Sequence, residues 1–340
     1  MVDDTGIAGN GTTDRNGGLF RRVRQIGCLL SLAGWGAVWV TGETFVWHEQ
    51  AGEHVTLYEA GDPVFTYQLS TRSLEGRYPR SNYVHPLWNT AGEIVTEDFP
   101  ADHPHQRGIF WAWHQLAWEG NSLADPWTCE NIRWLPPEPG QGIDWVRTEA
   151  RDEEAIIKAV HDWQVPDPNH KGQWIRVVRE RVAVTTLPRQ AGTRVLDFTI
   201  ELEALRDGIT LGGSDDDKGY GGFAPRIRLA EDVEFWGPGG RVLPQRTAIE
   251  VGEWVDVLGT FDGRREGIAM MVHPSHPGSP IPWILRASRS MQNPRWPGRE
   301  GIKLRQNSQV RLRYRLVLHD ATLSRKGLNA LYRSFASEYK

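Results

Sequence analysis

The chain has 340 residues, of which 24% are charged and 39% hydrophobic, a composition that excludes a wholly disordered protein and allows one large domain or two smaller ones. Its net charge of −4 gives no basic surface for a phosphate backbone, so no nucleic-acid partner is expected. The 36 Gly, 21 Pro and 16 Trp favour turns and aromatic packing over a helical bundle.

Residues 1–42 predict a leader in front of the folded domain. Residues 1–20 are rich in Gly, Asn, Thr and Asp, which predicts disorder. A basic cluster at 21–24 and the apolar run Ile26–Val40 follow in the order of a secretory signal. The run has about 15 residues, fewer than the ~20 that span a bilayer, so we expect no membrane span in the mature chain and a periplasmic or extracellular location. A buried first strand at Ala37–Val40 is the alternative.

From residue 43 to 340 the pattern predicts a single domain of antiparallel strands. Short alternating runs are broken about every ten residues by Gly, Pro, Asn or Asp. The clearest runs are His54–Tyr58, Trp174–Arg179, Arg194–Leu202 and Val310–Leu318. The last two have one apolar and one polar face, as in a sheet with one solvated side.

The tail of the chain carries a different pattern. Apolar residues at three- and four-residue spacing predict a helix over Leu323–Tyr339, packed on the outside of a sheet. We therefore expect an all-β fold, a large single antiparallel β-sandwich of jelly-roll or supersandwich type, with long loops and a C-terminal helix.

A histidine-rich window offers the first candidate site. Four of the 11 His, at positions 85, 103, 105 and 114, lie within thirty residues. Pro100 and Pro104 fix the backbone around Asp102–Arg107, so this segment is expected to be a stiff loop before the strand Ile109–Trp113. Stiff loops on a sheet scaffold often carry binding and catalytic residues.

The histidines allow two chemistries. His103 and His105 can act as a general acid/base pair near neutral pH, with His85 and His273 as partners. Alternatively His103 and His105, with His85 or His273, bind one divalent metal ion, although no carboxylate completes a recognised ligand spacing. In either case Arg107 would hold an anionic or developing oxyanion group.

The tryptophans suggest a sugar-binding site. Trp111 and Trp113 share one face of a strand, which favours a role in the core. Trp127 lies in a loop, where its flat ring suits the C–H face of a sugar, and Trp283 follows a second proline-stiffened histidine segment in the same way.

An acidic, Gly-rich turn supplies further candidates. Ser214–Phe223 precedes a predicted strand at Ala224–Leu229, and its acidic residues can equally be a solvated turn. Lys218 is expected to stabilise developing charge, and Arg226 and Asp102 are expected to bind substrate.

Several motifs occur in a specific order: His85-Pro86-Leu87, Asp98-Phe99-Pro100, Asp102 to Gly108, Lys218-Gly219, Gly222-Phe223 with Arg226, Val272-His273-Pro274, and Pro282-Trp283. In this order, over roughly residues 60–300, the chain resembles the PmoA-like family of uncharacterised bacterial proteins. The family usually has a second histidine where this chain has Gln106. The resemblance implies secretion and a context of carbohydrate breakdown. The methane oxidation in the family's label is not expected, since the mature chain has one Cys and 4 Met and no soft-ligand copper pattern.

These features predict a secreted or periplasmic carbohydrate-active enzyme, a glycoside hydrolase or lyase. Its partner would be a small saccharide or glycoside, keto sugars included, cleaved by hydrolysis or elimination. The pair of carboxylates typical of glycosidases is not evident, which favours histidine-centred acid/base chemistry. The alternative is a non-catalytic carbohydrate-binding module. The sugar, the linkage, the metal dependence and the oligomeric state stay open.

Overall fold

Alternation of apolar and polar residues builds most elements of residues 44–338, the part of the chain that the computed structural model describes. The predicted leader at 1–42 lies outside these residues and stays a prediction. In chain order the elements are β1 (Phe45–Gln50), β2 (His54–Glu59), β3 (Asp62–Gln68), β4 (Arg72–Leu74), β5 (Arg77–Arg80), β6 (Tyr83–Leu87), β7 (Ile109–Trp113), β8 (Gln115–Trp118), β9 (Asn121–Ala124), β10 (Arg133–Leu135), β11 (Val146–Ala150), β12 (Ala155–Pro166), β13 (Trp174–Gln190), β14 (Thr193–Ala204), β15 (Ile209–Gly212), β16 (Gly221–Pro225), β17 (Glu234–Gly237), β18 (Gly240–Val242), β19 (Trp254–Phe261), β20 (Arg264–Val272), β21 (Trp283–Ile284), β22 (Asn293–Pro294), β23 (Ile302–Leu304), β24 (Gln309–Asp320) and α1 (Arg325–Ser337).

Two large sheets dominate the architecture. One has six strands in the order β1-β2-β3-β6-β7-β16, and the other has ten in the order β10-β12-β13-β14-β24-β20-β19-β17-β18, with β11 beside β12. Smaller sheets are β23-β15-β8-β9 and the pairs β21-β22 and β4-β5. The neighbouring strands of both large sheets run antiparallel. The predicted all-β class, with long loops and a C-terminal helix, is confirmed.

The core lies between the inner faces of the two large sheets. Phe223 of the six-stranded sheet stacks on Tyr314 of the ten-stranded sheet, with ring centroids 4.5 Å apart. Trp111 and Trp113 are buried in the same cluster, which confirms their predicted role in the core. Burying one such side chain stabilises a fold by about 1.5–3 kcal/mol.

The helix α1 covers the outer face of the ten-stranded sheet. Ser324 caps its N-terminus by accepting a hydrogen bond from the backbone N–H of Gly327, and Leu328 and Phe335 are buried against that face. The expectation of a solvated face is therefore wrong at β24, because α1 lies over it. Arg315 of that face is buried and pairs with Asp197 and Glu338.

A buried carboxylate links the two sheets. Glu180 of β13 accepts hydrogen bonds from the indole nitrogens of Trp111 and Trp163, and from Nδ2 of Asn82 at 2.6 Å. Burial raises the pKa of Glu180 from its ordinary 4.5 to about 7, although these donors and the charge of Arg80 act in the opposite direction.

Raising the pH from about 4.5 to 7 is expected to lower the free energy of unfolding through Glu180. The unfolded chain releases the carboxyl proton near 4.5 and the folded chain only near 7, so about 3 kcal/mol present below this window is lost across it. Urea denaturation at both pH values measures the loss. Glu180→Gln cannot titrate and should lack it, so equal pH slopes in the two proteins would contradict the prediction.

Candidate functional site

The candidate site lies on the outer face of the six-stranded sheet, near its β7-β16 edge. Side chains alternate, so Phe110 and Ala112 point away from the core and pack with Trp127 and Ala224 in a small apolar cluster. Tyr220 packs against this cluster just before β16. The predicted strand at Ala224–Leu229 is wrong in its bounds, because the strand that pairs with β7 is Gly221–Pro225 and ends before Arg226.

A tight loop between Asp98 and Arg107 stands at the edge of this face. Its ends are joined as a bridge between these two residues, and Gln106 N donates to His103 O at 2.9 Å. Gly108 follows with φ +46, and a Cβ there would lie 2.1 Å from the backbone oxygen of Val84. The predicted loop before β7 is confirmed, and its exit requires glycine.

Arg107 does not face a ligand. Its side chain is 0% exposed, its Nε donates to Asp98, and its Nη2 donates to the Tyr83 hydroxyl at 2.5 Å. Its Nη1 donates to the backbone oxygen of Tyr78 at 3.2 Å, and its guanidinium lies 3.4 Å from the Phe99 ring centroid. The expectation that Arg107 holds an oxyanion is corrected, because burial and these partners occupy the group.

Asp102 and Arg226, both predicted to bind substrate, form an ion pair with each other. Nη2 of Arg226 donates to Oδ1 of Asp102 at 2.9 Å, and its other nitrogens donate to Glu97 at 2.6 Å and to Oε1 of Gln106 at 2.7 Å. Gln106 thus accepts a hydrogen bond from this guanidinium. Asp102, Glu97 and Arg226 line an open cavity of about 790 Å³, large enough for a small saccharide.

His103 is oriented by a carboxylate beside this cavity. Its Nδ1 lies 2.8 Å from Oδ2 of Asp102, and its side chain is 43% exposed. Burial acts to raise the pKa of Asp102, but the hydrogen bond with His103 and the charge of Arg226 outweigh it and lower that pKa. The Nδ1–H therefore donates to a carboxylate, which leaves Nε2 available to a ligand.

His105 lies next to His103 but, unlike His103, has no carboxylate partner among the described residues. The two ring centroids are 5.8 Å apart, and the ring of Tyr78 lies 6.3 Å away on another side. Within residues 44–338 no group hydrogen-bonds either ring nitrogen of His105. Burial, followed by the charges of His103 and Arg80, lowers the pKa of His105 to about 4. The ring is neutral at pH 7 and can accept a proton from a ligand.

A second histidine–carboxylate pair completes this group. Nδ1 of His114 lies 2.9 Å from Oδ2 of Asp125, and its ring stacks on Trp127 at 5.2 Å. Tyr220 stacks on Trp127 at 5.7 Å. The charges of His114 and Asp125 both act on the pKa of His105, in opposite directions. We call His103, His105, His114 and Tyr220 the imidazole cluster.

Sequence reasoning missed three of these residues. Asp125, Tyr78 and Tyr220 carried no recognised motif, and His114 was counted in the histidine window without a role. One signal was available for Asp125: the run Asp125-Pro126-Trp127 is a side-chain-capped turn, in which Oδ1 of Asp125 accepts from Trp127 N at 2.9 Å.

Trp127 supports the site from below. It is only 2% exposed, so its ring cannot be the sugar platform that the sequence predicted. His114 and Tyr220, which stack on it, are half-buried and form the accessible part of this aromatic group. Lys218 reaches the same end of the cluster, with Nζ 5.6 Å from the Tyr220 ring centroid and 3.3 Å from Oδ2 of Asp216.

Three predicted residues are not brought to this cluster. His85 bonds to Thr96 through Nδ1 at 2.9 Å, and burial lowers its pKa to about 4. His273 is buried near α1, with Nε2 2.8 Å from a nitrogen of Arg313. Trp283 is fully buried and donates to Gly252 O at 2.9 Å, so it packs in the core and is corrected as a sugar platform.

The predicted metal alternative has no assembled ligand set. Across residues 44–338 no group of three or more His, Cys, Asp and Glu is placed to hold a metal ion. His103 and His105 are neighbours, but His85 and His273 make their contacts elsewhere. The proposed set of His103 and His105 with His85 or His273 is therefore corrected.

None of the helices in this part of the chain is long and apolar enough to cross a membrane.

Comparison with known proteins gives a family but no activity. The model of a family of unknown function (DUF6807) matches residues 54–333. No curated protein matches the chain. A crystal structure of a GalM/aldose epimerase homologue from C. elegans aligns with 82% of this chain and 100% of its own, at 8% identity and a TM-score of 0.28. A likeness this weak carries no argument about substrate or reaction. The PmoA-like name and the carbohydrate context stay predictions.

Proposed function

The chain belongs to the DUF6807 family of unknown function, and from that premise we propose that it is a carbohydrate-active enzyme with histidine-centred acid/base chemistry. The main supporting observation is the pair His103 and His105. Their ring centroids lie 5.8 Å apart, and only His103 has a carboxylate partner among the described residues. Pairs of titratable groups whose environments favour different protonation states are typical of acid/base sites.

The two imidazoles suit opposite roles. His105 is neutral, half-buried and without a hydrogen-bond partner in the described chain, which suits a general base. His103 donates its Nδ1–H to Asp102, which orients the ring and leaves Nε2 facing a ligand, an arrangement that suits a general acid. His114, held by Asp125, and Tyr220 provide polar and aromatic groups for sugar hydroxyls and C–H faces.

The reaction we propose is elimination from a saccharide that carries a carbonyl. His105 takes the proton from the carbon next to the carbonyl, and that C–H electron pair forms a carbon–carbon double bond. The bond from the next carbon to the glycosidic oxygen breaks, and His103 gives its proton to that oxygen. The products are an alcohol and an unsaturated carbonyl sugar, and solvent restores both protonation states.

Incubation of the purified protein with a panel of glycosides, including keto- and uronic-acid-bearing ones, tests the proposal. Elimination is expected to give an ultraviolet-absorbing unsaturated product, whereas hydrolysis gives two saturated products. Binding to the panel without any product would favour the alternative, a carbohydrate-binding module.

Tyr220→Ala is expected to weaken saccharide binding about tenfold, because the half-buried ring offers the stacking surface at the cluster. Titration calorimetry measures the Kd. The matched control is Tyr58→Ala, which removes a half-buried tyrosine on β2 that packs on His48 with centroids 4.7 Å apart. Equal affinities of Tyr220→Ala and wild type would contradict this part of the site.

We also propose a periplasmic or extracellular location. Its support is the order of a basic cluster, an apolar run and small residues within 1–42. The mass and N-terminal sequence of protein recovered from the periplasm test it, with processing expected near residue 42. Recovery of the unprocessed chain from the cytoplasm alone would overturn the location.

A further inference from the structure

Arg80 is a buried cation behind the imidazole cluster. It is 1% exposed, and within residues 44–338 no carboxylate lies at ion-pair distance from it. Its Nε is buried and has no hydrogen-bond partner there. An unpaired buried charge costs several kcal/mol. A side chain kept in this state calls for an explanation beyond packing.

The hydrogen bonds of Arg80 within residues 44–338 all go to the loop that carries Trp127. Its Nη2 donates to the backbone oxygen of Pro126 at 2.5 Å and lies 3.4 Å from the backbone oxygen of Trp127 and from Sγ of Cys129. Its guanidinium lies 5.0 Å from the Phe110 ring centroid and 4.8 Å from that of Trp134. Carbonyl oxygens and aromatic faces spread the charge without neutralising it.

The same strand also reaches His105. β5 carries Arg80 and, two residues earlier, Tyr78, whose ring lies 6.3 Å from that of His105. The groups whose charges act on His105 are His103 on its own loop, Arg80 on β5, His114 after β7 and Asp125 after β9. Arg80 is the one permanent cation of this set.

We propose that Arg80 is a positioning residue for the imidazole cluster: it fixes the Trp127 loop from below and places a permanent positive charge behind His105. Through the loop it fixes the position of the Trp127 ring, on which His114 and Tyr220 stack. Burial is the main cause of the neutral form of His105, and the charge of Arg80 adds to it in the same direction. The catalytic meaning of this role rests on the proposed function, but both effects exist without substrate.

Nuclear magnetic resonance titration of ring-labelled histidines tests the inference. Wild type, Arg80→Lys and Arg80→Met are compared, with His105→Gln and His114→Gln to assign the signals. In wild type, His105 is expected to titrate near pH 4. Arg80→Met should raise this midpoint by about half a pH unit or more, whereas Arg80→Lys keeps the charge and should hold it near the wild-type value.

The signals of His114 report the loop separately. Its ring stacks on Trp127 at 5.2 Å, so a movement of the indole changes its ring-current shift. Both variants should move these signals, since neither lysine nor methionine reproduces the contacts of the Arg80 guanidinium with the backbone oxygens of Pro126 and Trp127. A merely structural side chain would not give a midpoint change that depends on charge.

Several results would overturn the inference. The first is a folded Arg80→Met protein in which the titration midpoint of His105 and the signals of His114 are both unchanged. If that variant does not fold, wild type and Arg80→Lys decide: a wild-type His105 midpoint near 6.5, or His114 signals unmoved by lysine, contradicts it. Absence of turnover on every glycoside tested would contradict the proposed function, but the His105 midpoint and the His114 signals would still test the role of Arg80.

Discussion

Replacing His105 with glutamine is expected to lower kcat on the productive glycoside by about 10²–10⁴-fold, the usual contribution of a positioned general base. Glutamine keeps the size and polarity of the ring but cannot take the proton. The Kd for substrate should change little, because His105 has no hydrogen-bond partner in the described structure and its neighbours stay in place. Steady-state kinetics and calorimetry on the same preparation measure the two quantities.

A matched control exists elsewhere in the chain. His170, in the loop between β12 and β13, pairs through Nδ1 with Oδ2 of Asp167 at 2.9 Å, much as His103 pairs with Asp102 at 2.8 Å. His170→Gln should leave kcat unchanged, and His103→Gln should lower it. If His105→Gln turns over substrate at the wild-type rate, His105 is not the base.

The pH dependence of the reaction follows from the same group. Because the pKa of His105 is lowered to about 4, its basic form is already complete near pH 6. The acid limb of kcat/KM governed by this residue should therefore lie near pH 4 in the free enzyme, well below the range of an ordinary histidine. An acid limb near 6.5 that is lost in His105→Gln would contradict the burial argument.

Arg107→Met is expected to lower the free energy of unfolding by about 3–5 kcal/mol, because Asp98 would be left as a buried carboxylate without its main partner. Methionine retains part of the apolar contact with Phe99 and Tyr83 but donates no hydrogen bond. Urea denaturation monitored by circular dichroism measures the change.

Arg72→Met is the control for Arg107. Arg72 also pairs with Asp98, at 3.1 Å, but its side chain is 43% exposed, so its removal should cost less than about 1 kcal/mol. If Arg107→Met were as stable as wild type and lost turnover, Arg107 would act in the chemistry, as its place in the sequence motif suggested. Loss of stability with retained kcat in the folded fraction supports the structural role.

The histidine loop shows how far local sequence reasoning reaches. Pro100, Pro104 and Gly108 restrict the backbone directly, so the stiff loop and its exit into β7 could be predicted. The neighbours of each side chain could not. Arg107 and His105 are two residues apart, yet one points into a buried ion pair and the other towards the cluster.

Long-range partners explain the other corrections. His273 and Trp283 lie in proline-rich segments like that of His103, and composition gives all of them the same appearance. Packing separates them, because β20 and β21 direct these two rings to α1 and to the core, respectively. Asp125 and Tyr220 became candidates only through Trp127, on which His114, directly after β7, and Tyr220, directly before β16, both stack.

The amino-acid sequence alone determined the all-β class, the C-terminal helix, the core tryptophans on β7 and the histidine loop before β7, since these depend on periodicity and on backbone restrictions within a few residues. Only the tertiary structure decided which imidazoles share a surface, that Arg107 is buried in an ion pair, and that Arg80 is buried without an ion-pair partner among residues 44–338 while its charge acts on His105. Proximity, burial and charge arise between strands far apart in the chain, and short-range patterns carry no information about them.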